Sequence, residues 1–241
     1  MIQENDRVLL SGQKREFFVR ACDKEFSTDK GILNLSDLIG LNSGDLIYTH
    51  LQKPFKVIVP RPVDYFSYAK RTGAPMLPKD IGTVIAYTGM NKKDTVLDAG
   101  TGSGVAAIFF GGIAKMVVTY EKRPEFAEVC RKNIDDAGLD NVKVRAEDVL
   151  LSDGEYDIVH LDMQIEKEHV EHAHKLLKNG GYLATYTPFL EQTFNVMDAA
   201  KPVFSEVVCH ELIGRELSRT ERGTRPSTRV CHTGYITVCR K

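Results

Sequence analysis

The feature that most restricts the possible folds is the stretch Val96-Leu97-Asp98-Ala99-Gly100-Thr101-Gly102-Ser103-Gly104, where an apolar β-like run ends on an acid and passes straight into alternating glycines. A strand, a tight glycine turn and then a helix expose backbone N–H groups and let a ligand approach the main chain where a Cβ would block it. The same turn also serves as a plain connection in α/β proteins, so its surroundings have to decide. From Thr95 onward apolar runs alternate with amphipathic segments, the mark of a parallel sheet covered on both faces. Strands are expected over residues 95–98, 116–120, 142–144, 157–161 and 181–186. A helix over 124–137 places Phe126, Val129, Cys130, Ile134 and Ala137 on one stripe, with Pro124 in its first turn and Gly138 at its end. Two further strands, near 206–212 and 234–239, have no helical pattern between them and predict a closing antiparallel hairpin.

The front of the chain reads differently. Up to about residue 60 it carries short β-like runs punctuated by Gly12, Gly31, Gly40 and Asn42-Ser43-Gly44, the pattern of a small antiparallel sheet or barrel. Pro60-Arg61-Pro62 then breaks the pattern, so two units are expected: residues 1–60, barrel-like, and residues 61–241, the α/β body. A length of 241 residues accommodates both cores. No apolar run approaches the roughly 20 residues of a membrane span, and the N-terminus lacks the layout of a signal peptide, so an intracellular location is expected. A net charge of −1 excludes a global polyanion-binding field, and any nucleic-acid surface has to be local. The five cysteines, Cys22, Cys130, Cys209, Cys231 and Cys239, are scattered without a CxxC pair and signal neither a zinc site nor a disulfide framework.

A dinucleotide fold wants GxGxxG, whereas the spacing here is Gly100-x-Gly102-x-Gly104 after Asp98. An adenosyl ligand without phosphate needs something else: a flat backbone surface for its amino-acid part and a carboxylate for its ribose hydroxyls. Glu121 follows the second strand and supplies that carboxylate; Asp148 follows the third, where it can accept from an adenine amine; Asp162 follows the fourth. In open α/β sheets ligands sit at the carboxyl ends of the strands. Each acid alone reads as a solvated loop residue, but four at successive strand ends point to S-adenosylmethionine.

Residues 95–187 resemble a class I S-adenosylmethionine-dependent methyltransferase. Nearly the whole chain resembles the TrmI-type tRNA (adenine-58-N1) methyltransferases, particularly the archaeal ones, through FSTDKG (26–31), YTHL (48–51), PKDIG (78–82), VLDAGTGSG, YEKRP (120–124), TRP (224–226) and HTGY (232–235). The resemblance implies a Rossmann-like, seven-stranded, mostly parallel sheet with an antiparallel last strand, a small all-β barrel before it, a homotetramer and a cytoplasmic enzyme. It further implies methyl transfer to N1 of adenosine 58 in the tRNA T-loop, with some archaeal members also modifying position 57. The cofactor set carried over is Asp98, Gly100, Gly102, Ser103, Gly104, Val105, Ala106, Glu121, Asp148 and Asp162, with Asp162 also the catalytic aspartate.

Two departures bear on base recognition. The family usually continues from this aspartate to Pro-Trp, where the chain reads Asp162-Met163-Gln164-Ile165, and often carries Tyr before PKD, where the chain has Leu77. Tyr65, Tyr68 and Met76 are the nearby alternatives for contacting the base.

N1 of adenine is hidden in folded tRNA, so the base has to be extruded and the RNA gripped by its backbone. The expected grip is Lys70, Arg71, Lys79, Arg222 and Arg225, with Arg215, Arg219 and Arg229 beside them. A solvated face and a subunit contact are the competing readings of that arginine run. His169, His172 and His174 read as helix-surface residues rather than metal ligands, and His232 as a structural hydrogen-bonding residue. No metal is expected. The rival functions are a methyltransferase of another acceptor, such as a protein carboxylate or a small molecule, and a non-catalytic tRNA-binding subunit.

Overall fold

The computed structural model describes residues 1–227 and 232–241. The chain opens with β1 (Arg7–Ser11), β2 (Glu16–Arg20), β3 (Glu25–Thr28), β4 (Gly31–Asn34), β5 (Leu46–Tyr48) and β6 (Pro54–Ile58). Four of these form an antiparallel sheet in the order β2-β1-β6-β5, and β3 pairs with β4 as a separate hairpin. Alternation along the strands turns Val8, Leu10, Val19, Leu33, Phe55 and Val57 into one buried cluster. The β3–β4 hairpin has short strands with half-exposed faces, which is why residue pattern alone did not mark it.

After the proline break come α1 (Pro62–Tyr68), α2 (Pro78–Thr88), β7 (Thr95–Ala99), α3 (Val105–Gly111), β8 (Met116–Tyr120), α4 (Pro124–Asp136) and β9 (Val142–Arg145). There follow β10 (Tyr156–Leu161), α5 (Lys167–Leu176), β11 (Leu177–Thr187), α6 (Leu190–Ala200), β12 (Glu206–Glu211), β13 (Leu217–Thr220), β14 (Gly223–Pro226) and β15 (Tyr235–Arg240). The main sheet has seven strands in the order β12-β15-β11-β10-β7-β8-β9. Only β15 runs against the rest, pairing antiparallel with both β11 and β12. The expected closing hairpin is therefore present, and the segment between its strands folds back as a second, exposed hairpin, β13–β14.

Both sheet faces are covered, as continuous apolar strands require. Val96, Val117, Ile158 and Ala184 pack beneath α2, α3 and α4 through Ile81, Val84, Ile108, Phe110 and Ile134. Their sequence neighbours Leu97, Val159 and Leu183 face the other way, onto Val170, Ala173 and Val196 of α5 and α6. Strand order reverses between β7 and β10, which opens a crevice at their carboxyl ends.

The two units meet on a small patch. Asp136, at the end of α4, accepts from Arg7 and Arg20 of the front sheet, and its carbonyl accepts from Tyr65 Oη at 2.7 Å. Phe18 lies edge-on to Tyr65 and stacked with Tyr68, whose hydroxyl donates to Glu16. Burial, reinforced by the Asp136 charge, pushes the Tyr65 phenol up to about 12, so it stays a donor. Tyr65 and Tyr68 therefore fasten the front unit instead of contacting a base, because their hydroxyls and rings are already engaged there.

Candidate active site

The glycine turn sits at the crevice. Gly100, Gly102 and Gly104 all have positive φ, at 83°, 54° and 83°. Two of them also tolerate no side chain: a Cβ on Gly100 would stand 1.9 Å from the Asp162 carbonyl oxygen, and one on Gly104 2.7 Å from Cys130 Sγ. This close approach is what brings the end of β10 against the turn after β7, with Asp162 N–H donating to the Ala99 carbonyl at 2.8 Å. At Gly102 a Cβ would point toward Thr72 Oγ1 at 3.6 Å, so this glycine keeps open the hollow between the turn and the segment after α1.

Two cavities flank the turn and share Gly100, Arg123 and Asp162. One, of about 270 Å³, is lined by Thr72, Met76, Asp98, Ser103, Val105 and Phe126 among others. Ala106 and Gly102 complete its helix side. The other, of about 460 Å³, is lined by Tyr120, Glu121, Glu147, Asp148, Met163 and His169. The expected cofactor residues thus line one or the other of these two adjoining cavities, except that Gly104 serves the turn and the packing against Cys130.

The acids differ in environment. Asp98 is buried, its Oδ1 2.7 Å from His160 Nδ1 and its Oδ2 accepting from Thr119 Oγ1 at 2.5 Å. Glu121 accepts from Gly102 N–H at 3.0 Å and from Arg123 N–H and Nε at 3.1 and 2.8 Å. Burial pushes the Glu121 carboxyl up, but these donors outweigh it and hold it below the ordinary carboxylate range. The Arg123 guanidinium lies 3.8 Å from the Phe126 ring centroid, a cation–π contact that fixes it over Glu121. Asp148 caps a short helical turn by accepting from Leu150 N–H at 3.0 Å. Asp162 goes the other way: burial, with the Asp98 charge adding and the His160 imidazole opposing, raises its carboxyl to about 6.

Several contributors escaped the sequence reading. The segment 72–76 walls the smaller cavity. Phe126, expected on the core stripe of α4, faces that cavity, and Asn133 takes the buried place by donating to the carbonyls of Ser103 and Lys70 at 2.8 and 2.9 Å. Met76, one of the alternatives for contacting the base, lines the same cavity.

The basic residues divide. Lys70 and Arg71 are exposed just before the 72–76 wall, with Arg71 donating to the Phe66 carbonyl at 2.8 Å. Arg222 and Arg225 lie on the exposed β13–β14 hairpin, around a separate surface hollow, not in the crevice. Arg229 and Cys231 lie outside the described residues. Lys79 requires a correction. Its ammonium donates to Asp80 Oδ1 at 2.6 Å, the Leu212 carbonyl at 2.7 Å and Thr233 Oγ1 at 2.7 Å, which spends all three N–H bonds internally and leaves none for a phosphate.

Each histidine has a structural partner. His169 Nδ1 accepts from Glu166 N–H, His172 bonds Ser152, and His174 packs edge-on to Phe204. His232 joins Glu211 and the Pro188 carbonyl, as a structural residue would. Among the described residues no helix is long and apolar enough to cross a membrane, and no group of three or more His, Cys, Asp or Glu side chains is arranged to hold a metal ion.

Comparison with known proteins adds an independent line. Residues 90–224 match a family model described as a methyltransferase domain. The chain is 33% identical to "tRNA (adenine(57)-N(1)/adenine(58)-N(1))-methyltransferase TrmI" of Methanocaldococcus jannaschii, over 97% of this chain and 94% of that one. It is 28% identical to "tRNA (adenine(58)-N(1))-methyltransferase TrmI" of Thermus thermophilus, over 73% of this chain and 72% of that one. Among solved structures, a SAM-dependent O-methyltransferase of Thermotoga maritima superposes with a TM-score of 0.86 at 27% identity, covering 100% of this chain and 94% of that chain.

Proposed function

The chain belongs to the TrmI family of tRNA (adenine-N1)-methyltransferases, and from that premise we propose that it methylates N1 of adenosine 58, and of the neighbouring position 57, in the T-loop of tRNA. The observation that carries this reading is the full-length likeness to the archaeal enzyme, front unit included; an isoaspartate O-methyltransferase of Marinobacter nauticus is 43% identical over only 56 residues, 23% of this chain.

The residues fit S-adenosylmethionine. The crevice holds the carboxylates of Asp98, Glu121, Asp148 and Asp162 and a glycine cradle with an open side at Gly102, and it offers no Walker-type phosphate loop, in keeping with a cationic ligand that lacks phosphate. Glu121 holds the ribose hydroxyls, Asp148 the adenine amine, and Asp98 with the backbone of Gly100, Gly102 and Ser103 the amino-acid end; Val105 and Ala106 form the apolar wall. When bound, the cofactor supplies an electrophilic methyl group on a sulfonium.

N1 of adenine already carries a lone pair, so the protein has no strong base to provide. Its work is to hold N1 in line with the methyl carbon. Asp162 accepts a hydrogen bond from the N6 amine of the target, orients the base and offsets the positive charge that appears on it. Its place on both cavities suits that role. The family's Pro-Trp wall is replaced here by Met163 and Gln164, and Met76 and Phe126 supply the apolar surface of the smaller cavity.

Lys70, Arg71, Arg222 and Arg225 grip the RNA backbone, and the enzyme works in the cytoplasm as a homotetramer. Incubation with methyl-labelled S-adenosylmethionine and bulk tRNA, followed by mapping of the labelled nucleoside, tests the reading. Label is expected in 1-methyladenosine at positions 57 and 58; label confined to protein or small molecules would overturn it.

A further inference from the structure

His160 has no place in the chemistry above, yet it is fully buried near the carboxyl end of β10, directly across from Asp98 in the β10–β7 register. Its Nδ1 lies 2.7 Å from Asp98 Oδ1, while its Nε2 is buried without any hydrogen-bond partner. The ring packs edge-on to Phe110, with centroids 5.2 Å apart. The Nδ1 side of the ring donates to the Asp98 carboxylate, and the apolar setting offers Nε2 no partner. Thr119 donates to the other oxygen at 2.5 Å. Asp98 is thereby clamped from both sides, and its remaining lone pairs face the smaller cavity.

We propose that His160 is a positioning residue that orients the Asp98 carboxylate to receive the α-ammonium group of the cofactor's amino-acid end. The inference rests on the S-adenosylmethionine reading and adds to it a determinant directly behind Asp98, on the neighbouring strand β10. A buried donor of this kind acts on one ligand group only. Loss of the donor should therefore weaken ligands that carry the ammonium and spare those that lack it.

The test is calorimetric binding of S-adenosylhomocysteine and of its analogue without the α-amino group, both in the absence of tRNA. His160→Phe is expected to weaken S-adenosylhomocysteine about tenfold, the usual worth of a hydrogen bond to a charged group, and to leave the deaminated analogue within about twofold. His160→Asn, which keeps an N–H donor, should recover most of the loss. Should His160→Phe fail to fold, Thr119→Val removes the opposite donor and carries the same expectation. Equal losses for both ligands, or no loss for either, would overturn the proposal. Wild-type protein that binds neither ligand would overturn the cofactor reading as well, whereas normal binding without transfer to tRNA would sink only the choice of acceptor.

Discussion

At the scale of single residues the site turns on one carboxylate in an unfavourable place. Asp162 is raised to about 6 chiefly by burial, and in the mechanism proposed above its ionised form is the one that offsets charge on the base. Methyl transfer, followed as kcat/KM for tRNA, is accordingly expected to fall as pH drops through that value; a profile flat across it would contradict the assignment. The same burial costs stability. A carboxyl that binds protons more readily when folded makes the folded state lose stability as pH rises from the ordinary value of 3.8 to about 6, and the loss is complete above that window. Asp162→Asn should therefore melt a few degrees higher than the parent at neutral pH while transferring methyl groups about a hundredfold more slowly. Differential scanning fluorimetry beside single-turnover kinetics checks both halves. This level was partly legible in the sequence: the acids at strand ends were visible because strand ends are visible. His160 was not, since a polar residue in an apolar strand acquires meaning only once register sets it beside Asp98.

At the scale of elements, α2 and the tail explain each other. Lys79 reaches Leu212 and Thr233, partners 133 and 154 residues away, and Thr233 also donates to buried Asp80 at 2.8 Å. Leu212 and Thr233 are the two roots of the segment that carries the β13–β14 hairpin, so the first turn of α2 clamps both. No local pattern announces such a clasp, and a lysine beside a basic neighbourhood reads naturally as a phosphate contact. The two roles separate by experiment. Lys79→Met removes one partner of a largely buried ion pair and is expected to cost about 3 kcal/mol in urea unfolding. Arg222→Glu with Arg225→Glu should leave unfolding unchanged and lower the slope of log affinity for tRNA against log salt by about 2; an unchanged slope would remove the hairpin from the RNA grip. The β-α alternation, by contrast, was readable to within about a residue at most strands, since burial on both faces writes itself as continuous apolar runs, but β11 starts at Leu177, before the expected 181.

At the scale of the whole molecule, the front sheet and the α/β body are joined chiefly by Asp136 and the aromatic patch of Phe18, Tyr65 and Tyr68. The change from short strands to βα alternation after Pro60-Arg61-Pro62 was legible because prolines break both patterns; the pairing of Asp136 with Arg7 and Arg20 was not, since it joins residues over a hundred positions apart. Asp136→Ala leaves Arg7 and Arg20 without their acceptor, and calorimetry should then resolve two thermal transitions where the parent shows one, the lower belonging to residues 1–60. A single transition at the parent temperature would show that the aromatic patch alone suffices.

Because a carboxylate at a helix end answers to two arginines, the requirements for docking a front module reduce to a short local code that no part of the methyl-transfer crevice shares. What the α/β body asks of its leading module at this joint is thus a basic pair and one aromatic ring, Arg7, Arg20 and Phe18 here.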